Sequence, residues 1–322
     1  MRATRPPEAQ NGEERERPHQ QPRAFVDVHS HPTRLLEASG VTRLPEAPSF
    51  PVTLFVSDAH LGRGSRDATR EAERDLVAML RAHEDEILGG GRLVLLGDVF
   101  DQWIEYRHLA PKEGLRLLGL LADWCDRGAE VDYLVGNRDP WHVDLLEHEI
   151  GVRLWRGAWA GEMDGTRAYI AHGDGLDRPS RVLSRFLHRL QPLVRHPHTA
   201  RLYRMCLPGD SGYAFARWVS HRFGTDGAPD AESAQRVGDA ARGLLRETDA
   251  DLVVMGHSHA ATLEATDHGT YLNTGYWFGA RTFGRLDPVH PHDDASGPVR
   301  ASLLRWTDGA AETLRASSPA LL

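Results

Sequence analysis

Short apolar runs that each stop at a cluster of metal-ligand side chains constrain this chain more than any other feature. Val52-Thr53-Leu54-Phe55-Val56 runs into Ser57-Asp58-Ala59-His60, and Leu93-Val94-Leu95-Leu96 runs into Gly97-Asp98-Val99-Phe100-Asp101. Val131-Asp132-Tyr133-Leu134-Val135 leads to Gly136-Asn137-Arg138-Asp139. Further on come Ala171-His172-Gly173-Asp174 and, after Leu252-Val253-Val254-Met255, Gly256-His257-Ser258-His259. Oxygen and imidazole donors in this mixture suit divalent cations of hard to borderline character. A lone Asp after a buried strand is more often a helix cap. Here all five segments carry donors, and that favours ligation over capping.

Between these segments the spacing is that of helices. Residues 67–88 carry Leu76, Val77, Met79, Leu80 and Ile87 at helical intervals, and Gly89-Gly90-Gly91 ends the run. Residues 111–126 repeat the pattern, closed by Gly128. Strand, loop, helix and strand in alternation predict a sheet with helices packed on it, and such sheets bind ligands at the carboxyl ends of their strands. The Asp164-Gly165 pair between two short runs predicts a hairpin. A long, mostly helical stretch over 176–247 follows. Strands are then expected at 252–255, 262–265, 270–273 and 299–306. Asp58 and His60 are two apart, as are His257 and His259, so each pair can point one way from a strand end.

With 322 residues, 40% of them hydrophobic, the chain can bury one large core. A net charge of -8 leaves no global basic field, so no nucleic-acid partner is expected. Cys125 and Cys206 lack metal spacing and predict two packed, reduced thiols. No apolar run is long enough to span a bilayer, and the first 23 residues lack the apolar core of a secretory signal. These features predict a cytoplasmic enzyme with a poorly ordered extension over 1–50.

The five ordered segments resemble the calcineurin-like metallophosphoesterase family, whose pattern is DxH, GDxxD, GN(H/R)(D/E), H and GHxH. The match spans Val52 to His259. The resemblance implies an α/β fold, a four-layer αββα sandwich over 51–310 with a helical insertion. It implies a binuclear metal-dependent phosphoesterase that hydrolyses a phosphodiester or diphosphate with a hydroxide shared by two ions. By motif, Asp98 bridges the ions, Asp58, His60 and His259 complete one site, and Asn137, His172 and His257 the other. Manganese is the usual ion, though iron or zinc would suit these ligands. Asp101, Asp139 and Asp174 are expected to orient ligand imidazoles, and Asp98, Arg138, Asp101 and Asp139 form the catalytic set.

Arg138 stands where protein phosphatases of the family carry His. Arg cannot act as a general acid at neutral pH, but its fork can grip phosphate, which predicts a leaving group that departs easily. The strings Gly97–Trp103 and Gly136–Asp139 are similar to the UDP-2,3-diacylglucosamine diphosphatase branch. The alternative is another nucleotide, phospholipid or phosphodiester substrate.

From His172 to His257 the motif gap is 85 residues against 35 to 40 before it, so something is inserted. Residues 176–222 hold nine Arg and two Asp. Arg181, Arg185 and Arg189 share one helix face and are candidate substrate-binding residues. Two readings stay open: a helical lobe with its apolar stripe buried, or a lid that receives lipid chains and touches the inner-membrane surface. Asp27, His29 and His31 form one further ligand-like segment, read as a poorly ordered stretch rather than a second metal site.

Overall fold

The computed structural model describes residues 52–163, 165–176, 196–223, 230–288 and 299–317. The predicted extension over 1–50, with Asp27, His29 and His31, lies outside the described residues, as do Arg181, Arg185 and Arg189.

Two sheets make the frame. The first has seven strands: β1 (Thr53–Val56), β2 (Arg92–Leu95), β3 (Glu130–Leu134), β4 (Arg153–Trp155), β10 (Thr282–Pro288), β11 (Val299–Thr307) and β12 (Ala310–Ala316). They lie in the order β12-β11-β10-β1-β2-β3-β4. β1 to β4 run parallel to one another, and β10 to β12 complete the sheet antiparallel, with β10 beside β1. The second sheet is β5-β6-β7-β9-β8, from β5 (Trp159–Met163), β6 (Thr166–Ile170), β7 (Leu252–Met255), β8 (Thr262–Thr266) and β9 (Gly269–Asn273). β5 and β6 form the expected hairpin, and β6, β7 and β9 are parallel.

Three buried clusters correspond to the three interfaces of four layers. Leu54, Val56, Leu93 and Leu95 face Leu76, Met79 and Leu80 of α1 (Arg66–Ala82) and Leu117, Leu121 and Trp124 of α3 (Leu115–Asp126). On the opposite face Phe55, Val94 and Leu286 meet Ile170, Val254 and Leu272 of the second sheet. That sheet's outer face carries Val253, Met255 and Tyr271 against Val237, Ala241, Leu244 and Leu245 of α6 (Ala231–Glu247). Strands buried on both faces explain why most of each run ending at a motif is apolar. Gly284 sits where the sheets approach: a Cβ there would come within 2.8 Å of Leu272.

The helix expected over 67–88 is broken at His83. Its Nδ1 donates to the Met79 carbonyl at 2.8 Å, diverting an acceptor from the helical ladder, and α2 (Glu84–Leu88) starts afresh. Ser65 caps α1 by accepting from the Ala68 N–H. α3 starts at Leu115 rather than 111, because Gly114 enters with φ 74°. Three strands escaped the pattern, β4, β10 and β12, together with a π-helical turn at Leu145–Ile150. Cys125 is partly buried and Cys206 exposed, both free, so the packed-thiol expectation fails at Cys206.

Within the insertion lie α4 (Pro197–Cys206), α5 (Gly209–Phe223) and α6. α4 and α5 rest on the loop after Asp98. Gln102 Nε2 donates to the Ala216 carbonyl (2.6 Å), Tyr106 Oη to the Leu207 carbonyl (3.0 Å) and Arg204 to the Glu105 carbonyl (3.0 Å). Their outer side exposes Leu202, Met205, Phe215 and Trp218. The buried-stripe expectation does not hold for these four. A short α7 (Trp277–Ala280) links β9 to β10.

Candidate metal centre

Each of the five motifs leaves the carboxyl end of a strand: β1, β2 and β3 in the first sheet, β6 and β7 in the second. The motifs therefore converge at one end of the seam between the sheets. Asp58, His60, Asp98, His257 and His259 all have φ between 42° and 66°. Among the described non-glycine residues only Arg281 and Asp308 share that conformation. Each such residue costs about 1–3 kcal/mol and persists only where the surroundings over-determine it, as they do at functional sites. The paired ligands thus point together through left-handed turns, not through the strand alternation expected from their spacing.

The donor atoms form two overlapping groups, Asp58–His60–His259 and Asp58–Asp98–His172, each within 4.8 Å. In the first, Nε2 of His60 and of His259 face each other at 3.1 Å, and Asp58 Oδ1 lies 3.2 Å from His259 Nε2 and 3.6 Å from His60 Nε2. In the second, His172 Nε2 is 3.6 Å from Asp98 Oδ2 and 3.2 Å from Asn137 Oδ1. The His257 ring stands edge-on to His172, centroids 5.2 Å apart. All seven expected ligands gather here. Asp58 is common to both groups, whereas Asp98, implied as the bridge, belongs to the second only.

The chemistry of these atoms fits divalent ions. Asp58 Oδ1 is buried and accepts no hydrogen bond from the described residues, although Nε2 of His259 and of His60 lie 3.2 and 3.6 Å away. His172 Nδ1 donates to the Leu96 carbonyl at 2.7 Å, which leaves Nε2 to bind an ion. Burial pushes His60 down to about 4, so its ring is a neutral donor at neutral pH. Burial works against the charged forms of Asp58 and Asp98, but the histidines beside them hold both carboxyls below the usual range. Burial would lower His172 as well, yet Asp98 raises it to about 10; a cation among these carboxylates would displace that proton.

Neighbouring residues lock the ligands. Asp58 Oδ2 accepts from Ser57 Oγ (2.5 Å) and the His257 N–H (2.9 Å), so the first motif holds the last. The Arg138 N–H donates to Asp98 Oδ1 at 2.7 Å. Gly136 must lack a side chain, since a Cβ there would lie 2.2 Å from Asp98 Oδ1. Asn273 donates to the Gly256 carbonyl and accepts from the Gly275 N–H, bracing the Gly256–His259 turn.

Asp101 and Asp139 do not hydrogen-bond imidazoles as expected. Asp139 accepts from the Gly136 N–H (2.8 Å) and Tyr133 Oη (2.5 Å), which fixes the loop that carries Asn137. Asp101 Oδ1 is 3.6 Å from His60 Nδ1, too long for a hydrogen bond, and instead takes Arg63 Nε at 2.8 Å. Arg138 Nη1 lies 3.5 Å from the same oxygen. Asp174 is buried beside the site. Two residues that sequence reasoning passed over belong here. Arg63 is one. Tyr276 is the other, stacked on His259 at 4.4 Å with an interplanar angle of 8°.

No protein-family model matches the chain. Curated proteins do. A UDP-2,3-diacylglucosamine hydrolase of Porphyromonas gingivalis is 27% identical over 251 residues, 72% of this chain and 93% of its own length. One of Ralstonia nicotianae is 28% identical over 282 residues, 83% of this chain and 93% of its own. Together with the two ligand groups, this similarity to named hydrolases marks a metal-dependent phosphoesterase. Among solved structures, the phosphoesterase YfcE from E. coli overlays 84% of this phosphoesterase and 100% of its own chain, at 14% identity and TM-score 0.40. That overlay is too loose to bear on activity.

Proposed function

We propose that this phosphoesterase cleaves the diphosphate of a nucleotide-linked acylated sugar, a substrate like UDP-2,3-diacylglucosamine, to give UMP and an acylated sugar phosphate. The observation that carries the reading is the similarity, over nearly the full length of two relatives, to hydrolases named for that substrate. In this reading Asp58, Asp98, His60 and His259 hold one ion, and Asp98, Asn137, His172 and His257 the other. Manganese is the proposed metal. Divalent ions here would acidify a water and offset charge on the phosphate oxygens.

The chain's own residues set the rest. Arg138, 14% exposed and beside Asp101, binds the phosphoryl group through its fork. Asp101 fixes where that fork points, and Asp139 fixes the loop beneath it. With no general acid at Arg138, the departing group must leave as a low-basicity phosphate, which a diphosphate supplies. The α4–α5 insertion supports a lipid-linked substrate, since it exposes apolar side chains and follows an Arg-rich stretch in the sequence. No described helix is long and apolar enough to cross a membrane. The enzyme is proposed to work in the cytoplasm at the inner-membrane surface, with residues 176–247 as its lid.

A substrate panel tests this. UDP-2,3-diacylglucosamine, UDP-N-acetylglucosamine, UMP and glycerophosphodiesters are incubated with manganese-loaded enzyme, with Asp98→Ala as the blank. The expected result is a kcat/KM for the acylated diphosphate at least about 100-fold above the others, about 2.7 kcal/mol of transition-state preference. A preference for a glycerophosphodiester or a nucleotide monoester would replace the substrate and leave the metal chemistry standing.

A further inference from the structure

Arg63 follows the first motif by three residues, and its N–H closes a turn onto the His60 carbonyl at 3.0 Å. Its side chain is 12% exposed. The guanidinium lies between two groups that themselves touch ligands. On one side Nε donates to Asp101 Oδ1, which is 3.6 Å from His60. On the other is Tyr276, stacked on His259 and in electrostatic contact with Arg63. Nη1 of Arg63 is buried and has no hydrogen-bond partner among the described residues.

A buried guanidinium donor without an acceptor costs free energy unless something fills the role. The charge count points the same way. Arg63 and Arg138 both approach the same oxygen, Asp101 Oδ1, at 2.8 and 3.5 Å, beside the ligand groups. Two guanidinium groups held this close favour a further anion, and the fork geometry of Arg matches phosphate. Diphosphates bring one anionic group more than a monoester does.

We propose that Arg63 is a second anion-binding residue of this centre, which with Arg138 grips the phosphoryl group next to the one attacked and so selects diphosphates over monoesters. The assignment rests on the proposed diphosphate substrate. Asp101 is then the positioning residue that keeps both arginines aimed at the same ligand. Sequence gave no hint of Arg63, because Arg makes up nearly all the basic charge and one more carries no signal.

The test is binding, not turnover. Full-length manganese-loaded protein is titrated calorimetrically with α,β-methylene-UDP and with UMP, which differ in the second phosphoryl group and cannot be cleaved between phosphates. Wild type should bind the methylene diphosphate at least about tenfold tighter than UMP, the gain expected of a charge-assisted hydrogen bond. Arg63→Ala should abolish that ratio, with UMP affinity and metal content within about twofold of wild type, and Arg63→Lys should restore part of it. Equal weakening of both nucleotides would show that Arg63 only props Asp101, and an unchanged ratio would show that it touches no phosphate; either overturns the assignment. The outcomes separate from those of the substrate panel. A persistent ratio without diphosphate turnover would sink the substrate and keep Arg63, whereas diphosphate turnover with no change in Arg63→Ala would do the reverse.

Discussion

His142 is 5% exposed, and neither of its ring nitrogens finds a hydrogen-bond partner among the described residues. It stacks on Trp103 at 5.4 Å and meets Tyr133 edge-on at 5.2 Å. Burial lowers its pKa to about 3; Glu105 pulls the other way, and Arg156 adds to the depression. The unfolded value is about 6.5. The fold therefore excludes the proton that the unfolded chain takes up. The stabilisation is fully present above pH 6.5 and drains as pH falls toward the folded value, by about 1.4 kcal/mol per pH unit. His142→Phe keeps the ring and removes the titration. Between pH 6.5 and 5 the variant should gain about 2 kcal/mol relative to wild type, read from urea midpoints at fixed metal concentration. Parallel wild-type and variant curves would mean that water or an unseen partner reaches the ring. The sequence shows His142 as one histidine of 18, and only packing tells it from an exposed one.

At the scale of elements, α4 and α5 are the least ordinary part of the molecule. They dock through a small cluster, Ile104, Trp141 and Ala200 with Tyr106, Tyr203 and Ala216, and through three side-chain bonds to loop and helix carbonyls. Glu105 secures the base: its carboxylate accepts from the N–H groups of Val143, Asp144 and Leu145 and from Trp103 Nε1. On the far side Met205 is 74% and Trp218 58% exposed. Apolar side chains this open contribute little to stability, so Met205→Ser with Trp218→Ser should change it by less than about 1 kcal/mol. If the face receives acyl chains, the double variant should raise KM for the acylated diphosphate about tenfold or more, since burying one such side chain is worth about 1.5–3 kcal/mol. Unchanged KM, or an equal loss on a short artificial phosphodiester, would assign the face to something else. The insertion was legible as helices from its periodicity. Which face lies outward was not, because that depends on the loop after Asp98, about 100 residues earlier in the chain.

For the molecule as a whole, legibility divides along physical lines. β1, β2 and β7 stood out because strands covered on both faces are almost wholly apolar, and β3 departs from that at Asp132, whose charge is paired with Arg92 and Arg153. Their ends stood out because ligands replace the usual turn residues there. β10 stayed hidden because Gly284, needed for the close approach of the sheets, and Pro288 interrupt its run. β12 stayed hidden because its Ala-Ala-Glu-Thr-Leu-Arg-Ala has weak strand propensity and is stabilised by β11 alongside it. The seven candidate ligands could be named from motifs, but the left-handed backbone of five of them and the place of Asp58 in both groups are set by the fold.

Asp58, Asp98 and Asn137 hang from one sheet, and His172, His257 and His259 from the other. An ion coordinated from both would act as a rivet, fastening halves otherwise joined chiefly by hydrocarbon packing. Occupancy at 100 times the dissociation constant adds about 2.7 kcal/mol per ion, and chelation should lower the melting temperature by at least about 5 °C. A scan with and without chelator that superimposed would mean the rivet carries no load. If it does carry load, metal scarcity shortens the lifetime of the protein as well as stopping its chemistry.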